Sequence, residues 1–535
     1  MNTPIKNLLV ALLITFPTIA FTQTPVLVKN IHPIGGSEPM YLTNVNGTLF
    51  FQANDGGNGE ELWKSDGTYD GTVMVKDINE SGGSGPELLT PMDDMLFFIA
   101  NDGVNGMELW KSDGTEEGTE LVADINSAGS SSPQYLVSLN GTLFFTANDG
   151  NNGIELWKSD GTPEGTQMVK NIDTLGSGEP MELTVYNGKV YFSAEDENGR
   201  ELWVSDGTEA GTQMVANIHT TANSNPKNFT VAGDLLYFQA SSPGNGFELW
   251  KSDGTDAGTQ LVKNINPQGN SDPDNLTEFM NMLFFQASDG DHGRELWKSD
   301  GTTEGTILVK DIHQTMSSNP MSFTEMNGFL YFSAADTTYG NELWRTDGTE
   351  AGTQMVKDIY PDFNAYPEHL TSMGDLLFFE AGDGVHGREL WKSDGTENGT
   401  VMVGEINPIG NSGLDFLTVI DNTLFFQAND GTSGHELWKL ENTTGINDPQ
   451  DLFSEMIVFP NPASERINLK ITDEWTGSLN ITILDISGRT YEVGRYNKTE
   501  MNFQVEVNLG NLSAGLYQIL VSREGNMTNR AFVVW

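Results

Sequence analysis

Short apolar runs alternate with polar positions along most of this chain, and Asn, Asp, Gly and Ser clusters separate them. Residues 73–112 show the pattern. Val73-Met74-Val75-Lys76-Asp77-Ile78 alternates with period two. A loop with Gly82, Gly83, Ser84 and Pro86 leads to a short Glu87-Leu88-Leu89-Thr90 stretch, and Met95–Ala100 and Met107–Ser112 complete the unit. Alternation bounded by turn residues predicts strands, and no segment carries a helical period. The unit then recurs. Tryptophan stands at 63, 110, 157, 203, 250, 297, 344, 391 and 438, a step of 47 residues broken once by 46. A period of about 20–50 residues marks a repeat architecture.

Four antiparallel strands per unit is the arithmetic of a propeller blade, with a solenoid as the competing arrangement. The phase of the ends decides between them. Strand Val26–Ile31 is of the type that follows a Ser-Asp-Gly-Thr turn, yet no such turn precedes it. The last unit ends at Glu436-Leu437-Trp438-Lys439 and lacks that turn and strand. The N-terminal strand therefore supplies the fourth strand of the final unit, and a ring so closed leaves no open edge. The predicted fold is all-β: a closed β-propeller of about nine four-stranded blades over residues 23–439.

The pattern changes after Lys439. Residues 440–455 are polar and read as a linker, and residues 456–535 carry strands at Ile467–Ile471, Leu479–Ile486, Phe503–Val507, Leu516–Val521 and Ala531–Val534. That spacing suits a small β-sandwich. At the other end Lys6 precedes an apolar run, Leu8 to Ala20, and Ala20 and Thr22 are small residues before Gln23. Residues 1–22 read as a secretory signal peptide, and no later apolar run is long enough for a membrane helix, so the mature chain is expected not to be integral.

Charge narrows the partners. With 75 acidic against 27 basic residues the net charge is −48, which disfavours nucleic acid and anionic lipid. There is no cysteine, which removes disulfides, thiolate metal sites and cysteine nucleophiles.

Two sets of motifs resemble known families. The nine Glu-Leu-Trp units, eight of which continue to Asp-Gly-Thr, resemble the ELWxxDGT repeat proteins of exported bacterial proteins, a resemblance that implies repetition and no shared activity. The tail carries Phe459-Pro460-Asn461-Pro462-Ala463, Leu484-Asp485-Ile486-Ser487-Gly488-Arg489 and Leu512-Ser513-Ala514-Gly515-Leu516-Tyr517. These resemble the type A C-terminal sorting domain of the type IX secretion system of Bacteroidetes. The resemblance implies entry to the periplasm, outer-membrane passage by that machinery, and removal of the tail near the linker.

Candidate chemistry lies in the turns. Ser-Asp-Gly-Thr turns place Asp66, Asp113, Asp160, Asp206, Asp253, Asp300, Asp347 and Asp394 on one face, where Asp capping and Gly with positive φ make a hairpin staple. The opposite face carries Asp55, Asp102, Asp149, Asp196, Asp289, Asp336, Asp383 and Asp430, with Ser242 in the fifth unit. Paired with Glu61, Glu108, Glu155 and their equivalents, these could offer oxygens to calcium; the same Asn-Asp-Gly pattern is also a plain turn. His292, Arg294, His386, Arg388 and His435 break the repeat on this acidic rim and form a candidate ligand patch. The repeated Trp, Leu and Phe residues read as core between units. No hydrolase, metalloprotease, phosphate-loop or dinucleotide motif is present. The expected function is a non-enzymatic, exported scaffold at the cell surface or in the medium that binds protein or glycan. The alternative is a carbohydrate-active enzyme on the same fold, which requires two carboxylates facing one sugar.

Overall fold

A computed structural model describes residues 24–361, 363–441, 455–459, 463, 466–472, 476–485, 490–510, 512, 515–523 and 526–534. The signal peptide read at 1–22, all but the ends of the linker read at 440–455, and parts of the tail motifs (460–462, 486–489, 511, 513–514) lie outside the described residues. The chain divides into two compact units, Met1–Asn442 and Thr443–Trp535. Among the described residues there is no helix.

The described residues of the first unit form nine four-stranded antiparallel sheets, each blade-like and continuous in sequence except the last, and numbered in chain order so that sheets 2 to 8 span 87–123, 134–170, 181–216, 227–263, 274–310, 321–357 and 368–404. Sheet 1 consists of Met40–Val45, Thr48–Asn54, Glu60–Ser65 and Val73–Lys76. Its first hairpin turns at Asn46-Gly47, both at positive φ (49° and 87°), the conformation that matches the twist of the two strands. Sheet 9 consists of Asp415–Ile420, Thr423–Asn429, His435–Glu441 and, as fourth strand, Val26–Lys29. Leu27 lies opposite Trp438, the exchange expected from the phase of the ends. Two boundaries differ from the apolar pattern. The strand expected over Val73–Ile78 stops at Lys76, because the Ile78 amide turns away to Glu61. The third strand of sheet 9 continues to Glu441, into the stretch read as linker.

Neighbouring sheets pack through repeated apolar positions. Phe50, Leu62, Val75 and Ile78 of sheet 1 share a core with Leu96, Phe98, Ala100 and Trp110 of sheet 2. Phe425, Leu437, Val28 and Ile31 of sheet 9 meet Leu49, Phe51, Ala53 and Trp63 of sheet 1 through the corresponding positions. Fully burying one such side chain is worth about 1.5–3 kcal/mol, so these interfaces dominate the stability of the unit. First strands also touch from each sheet to the next, and Met40–Val45 touches Asp415–Ile420 in the same way.

The second unit is two antiparallel sheets. One orders Glu455–Phe459, Arg466–Thr472 and Asn502–Asn508; the other orders Thr490–Lys498, Gly477–Asp485, Gly515–Arg523 and Asn526–Val534. Alternate residues of both sheets, including Ile467, Leu469, Ile471, Ile481, Ile483, Ile519 and Val521, bury into one core, as in a sandwich. The apolar pattern misses Glu455–Phe459 and Thr490–Lys498. The latter is broken by a register shift at Ile481/Thr482 and has Gly494 at φ 148°.

Candidate functional site

The Glu of each Glu-Leu-Trp sits on a third strand, with its carboxylate turned to a neighbouring loop. Glu61 is fully buried and grips the loop that leads to sheet 2. It accepts from the amides of Ile78 (3.0 Å), Asn79 (3.4 Å) and Ser84 (2.9 Å) and from the Ser84 hydroxyl (2.6 Å). Glu436 does the same for the first described loop, accepting from Ile31, His32 and Ser37. Burial raises the pKa of all these carboxyls against the pull of their donors. The rise is greatest where the serine hydroxyl is lost. Gly178 and Ala365 replace the serine beside Glu155 and Glu342, which are pushed up to about 7 and about 8. Burial pushes Glu389 up to about 7 although Ser412, which also donates to the Arg388 carbonyl at 2.9 Å, pulls it down in part.

The Asp turns on the same face are closed on themselves. Asp55 Oδ1 accepts from the amides of Gly57 and Asn58, and Oδ2 accepts from the Asn58 side chain, all at 2.8 Å. Asp102 and Asp149 repeat this with Asn105 and Asn152. Burial works upward on these carboxyls, but the amide donors hold them below the usual range. In Asp289 and Asp383 the asparagine is replaced by His292 and His386, whose Nδ1 lies 2.7 Å from the same Oδ2. Each carboxylate raises its histidine by hydrogen bond and charge. Asp430 uses Thr432 and Ser433 instead. Asp196 holds Asn198 across a tighter turn, and Asp336 holds Thr338 and Tyr339. The histidines thus stand in for the turn's asparagine.

His435 pairs elsewhere, with Glu38 at 3.1 Å. Arg294 meets Asp272 at 3.2 Å, and Arg388 reaches both Glu368 and Glu380 at 2.7 Å. The apolar and motif pattern missed Arg200, which occupies the same position in sheet 4 and meets Glu179 at 3.1 Å; its Gly-Arg-Glu-Leu-Trp context matches that of Arg294 and Arg388. The five residues of the candidate patch are therefore spread over sheets 6, 8 and 9, each engaged with a local acid. Among the described residues, one group of three potential metal ligands comes together: Glu368, His369 and Glu380, with ligand atoms within 4.8 Å of one another. The Arg388 guanidinium already bonds both glutamates.

On the opposite face the Ser-Asp-Gly-Thr turn is a staple. Asp66 Oδ1 accepts from the Thr68 amide and hydroxyl at 2.8 and 2.7 Å, and those donors lower its pKa. Ser65 and Thr72 bond across the turn at 2.8 Å. The same contacts recur at Asp113, Asp160, Asp206, Asp253, Asp300, Asp347 and Asp394, with Thr346 in place of the serine at Asp347. The turn also docks on its neighbour: Lys64 Nζ donates to the Gly114 carbonyl of sheet 2 at 2.7 Å.

A feature without sequence signature lies where the first strands touch. The second residue of every first strand has positive φ: Tyr41, Leu88, Tyr135, Glu182, Asn228, Asn275, Ser322, His369 and Phe416. Each sits in a bulge, as at the shift between Met40 and Thr43, and a left-handed bulky residue costs about 1–2 kcal/mol. Members from adjacent sheets touch, Tyr41 and Phe416 with ring centroids 5.8 Å apart. Sheets 9, 1, 2 and 3 present aromatic or aliphatic side chains here, and sheets 4 to 8 polar ones.

No curated protein matches the chain. Among solved structures it is similar to a puromycin hydrolase, with 15% identity and TM-score 0.36 over 64% of this chain and 58% of that one. It is also similar to a prolyl endopeptidase (12%, 0.34, 64% and 55%) and to a Mycobacterium tuberculosis puromycin-hydrolyzing peptidase (9%, 0.36, 64% and 58%). The chain matches under two thirds of the length of each. Among the described residues no helix is long and apolar enough to cross a membrane. Residues 457–535 match the family described as the secretion system C-terminal sorting domain, which makes this a chain exported through the type IX secretion system to the cell surface or the medium.

Proposed function

We propose that the nine sheets close into one nine-bladed propeller of the ELWxxDGT repeat type, and that this ring is a non-enzymatic scaffold that binds protein or glycan outside the cell. In this reading residues 1–22 direct entry to the periplasm, residues 456–535 engage the type IX machinery and are then removed, and no cofactor is needed. One observation carries the proposal: the carboxylates that recur in the sheets are consumed by architecture. Glu61 and its equivalents anchor loops, Asp55 and Asp66 and theirs cap their own turns, and only positions that vary between sheets remain for recognition. Closure is supported by the shared core of sheets 9 and 1 and by the Lys29 ammonium, which donates to the Thr72 carbonyl of sheet 1 at 2.7 Å as Lys76 does to Thr119 of sheet 2.

The enzyme alternative has one foothold, the register pair Glu368 and Glu380. A glycosidase needs one such carboxyl to donate a proton and the other to attack or activate water. A guanidinium bonded to both holds them as an ion-paired staple instead. The test is a panel of polysaccharides and surface-protein extracts offered to residues 24–441, with binding and fragment release read in parallel. Binding without release is expected. Release of fragments that is lost in Glu380→Gln would overturn the scaffold reading.

A further inference from the structure

We propose that the cleft between sheets 3 and 4 is a binding site for a neutral saccharide. This deepens the scaffold reading and rests on it. The cleft has a volume of about 370 Å³, within the range of about 300–1,000 Å³ usual for small-ligand sites. Tyr135 lines it, partly exposed, with the rest of its side chain packed on the core of sheets 3 and 4. The bulge fixes its backbone at φ 53°, so the ring is presented by a rigid strand rather than a loop. Tyr135 is the last aromatic before the touching residues turn polar at Glu182, so the cleft opens at the boundary of the two arcs.

Two positions that line the cleft vary between sheets. Sheets 1, 5, 6 and 9 carry Gln52, Gln239, Gln286 and Gln427 where sheet 3 has Thr146. Sheets 4, 6 and 8 carry Arg200, Arg294 and Arg388 where sheet 3 has Ile154. Thr146 and Ile154 both line the cleft, where the longer Gln or Arg of those sheets would take up space.

Its chemistry selects the ligand class. Beside Tyr135 the lining offers the Gln134 amide, the Asn148 NH2 (its Oδ1 accepts from Gly150 at 2.7 Å) and the Ser130 hydroxyl hydrogen (its oxygen accepts from Met107 at 2.9 Å). The carboxylate there, Glu179, is engaged by Arg200 at 3.1 Å. An aromatic face with uncharged hydrogen-bonding groups around it fits the apolar face and the hydroxyl rim of a sugar. The net charge of −48 disfavours an anionic one.

The experiment titrates the full chain by calorimetry with cellohexaose, laminarihexaose, mannohexaose and chitohexaose. Oligogalacturonate serves as the anionic control. Tyr135→Ala, Thr146→Gln and Ile154→Arg are compared with Val385→Arg, an exposed change on the sheet 8 turn. Melting curves exclude variants that unfold; Thr146→Gln installs a residue that four other sheets already accommodate. One neutral saccharide should bind, the anionic control should not, and each cleft variant should weaken affinity at least about tenfold while Val385→Arg leaves it unchanged. Saccharide binding that survives all three cleft variants would overturn the site and leave the scaffold reading intact. Capture of a surface protein with no saccharide bound at millimolar concentration would overturn the ligand class. Cleavage of a bound saccharide would overturn the scaffold reading itself.

Discussion

The Thr418 hydroxyl shares its one hydrogen between the Phe416 carbonyl of its own strand at 2.9 Å and the Leu42 carbonyl at 3.1 Å, the latter across 376 residues of sequence. Thr230 makes the same bond to Leu276 in the next sheet, and Thr324 makes it to Leu370. The joint between the last sheet and the first therefore shares a bond with two of the joints between consecutive sheets. In a repeat protein, stability is close to a sum of such interfaces, so the proposed closure adds one more without adding a fold element.

The glycine of the Ser-Asp-Gly-Thr turn should be irreplaceable. Gly114 has φ +85°, and a Cβ there would sit 3.0 Å from Cζ of Phe50 in the preceding sheet. Gly114→Ala should cost about 1–2 kcal/mol from the left-handed backbone alone, with crowding against Phe50 added. Gly129→Ala, where a Cβ meets nothing within 4 Å, should be close to neutral. Chemical denaturation of the two variants checks the contrast.

Alkaline pH should weaken the sheets through their buried glutamates. Burial raises Glu155 and Glu389 to about 7 and Glu342 to about 8, from an ordinary 4.5. These groups bind protons more tightly folded than unfolded, so their contribution is full below pH 4.5 and is lost as pH rises through 7 to 8. Each tenfold change in proton affinity is worth about 1.4 kcal/mol. Ala365→Ser restores the hydroxyl donor to Glu342. It should raise the melting temperature at pH 9 by about 2 °C or more and change it little at pH 5. Equal effects at both pH values would contradict the assignment.

Calcium should leave the melting temperature unmoved. Asp55, Asp102 and Asp149 spend both carboxylate oxygens on their own turns, and the neighbouring strand glutamates Glu61, Glu108 and Glu155 are buried against the loops they anchor. A calcium ion takes 6–8 oxygens. Melting in millimolar calcium and in chelator should agree within about 1 °C; a concentration-dependent rise would restore calcium to these turns.

The sorting tail should be needed for export and dispensable for the fold of the sheets. A chain ending at Glu441 should melt like the full chain and accumulate in the periplasm of its host. The exported form should end between the last strand of sheet 9 and Glu455. Mass spectrometry of surface material that reaches Trp535, or export of the truncated chain, would contradict this.

Much of the fold was legible in sequence because its determinants are local and repeated. Trp63 and its copies set the period, Asn46-Gly47 type turns set the hairpins, and the unmatched ends gave the strand exchange of Val26–Lys29 with Trp438. The site was less legible. Glu61 and its donor Ser84 are 23 residues apart, so the repeat displayed both without showing that they meet. His292 read as a departure, although alignment with Asn58, Asn105 and Asn152 identifies it as the turn's own donor. The left-handed bulge at Tyr41, Leu88 and Phe416 has no residue signature, because tertiary packing imposes it on whatever side chain stands there. The sheet 3 cleft is lined by Thr146 and Ile154, whose difference from the Gln and Arg of other sheets appears only when the sheets are compared.

Closure of the ring is tested most directly by a disulfide between the two ends. The chain has no cysteine, and Val26 lies opposite Lys439 in an antiparallel pair. Directly opposed Cα atoms in such a pair are about 4.5–5.5 Å apart, within disulfide range. Val26→Cys with Lys439→Cys should form one intramolecular bridge on mild oxidation, seen as a linked peptide pair and a reductant-sensitive rise in melting temperature. Two free thiols, or bridges only between molecules, would show that the first strand does not complete the last sheet.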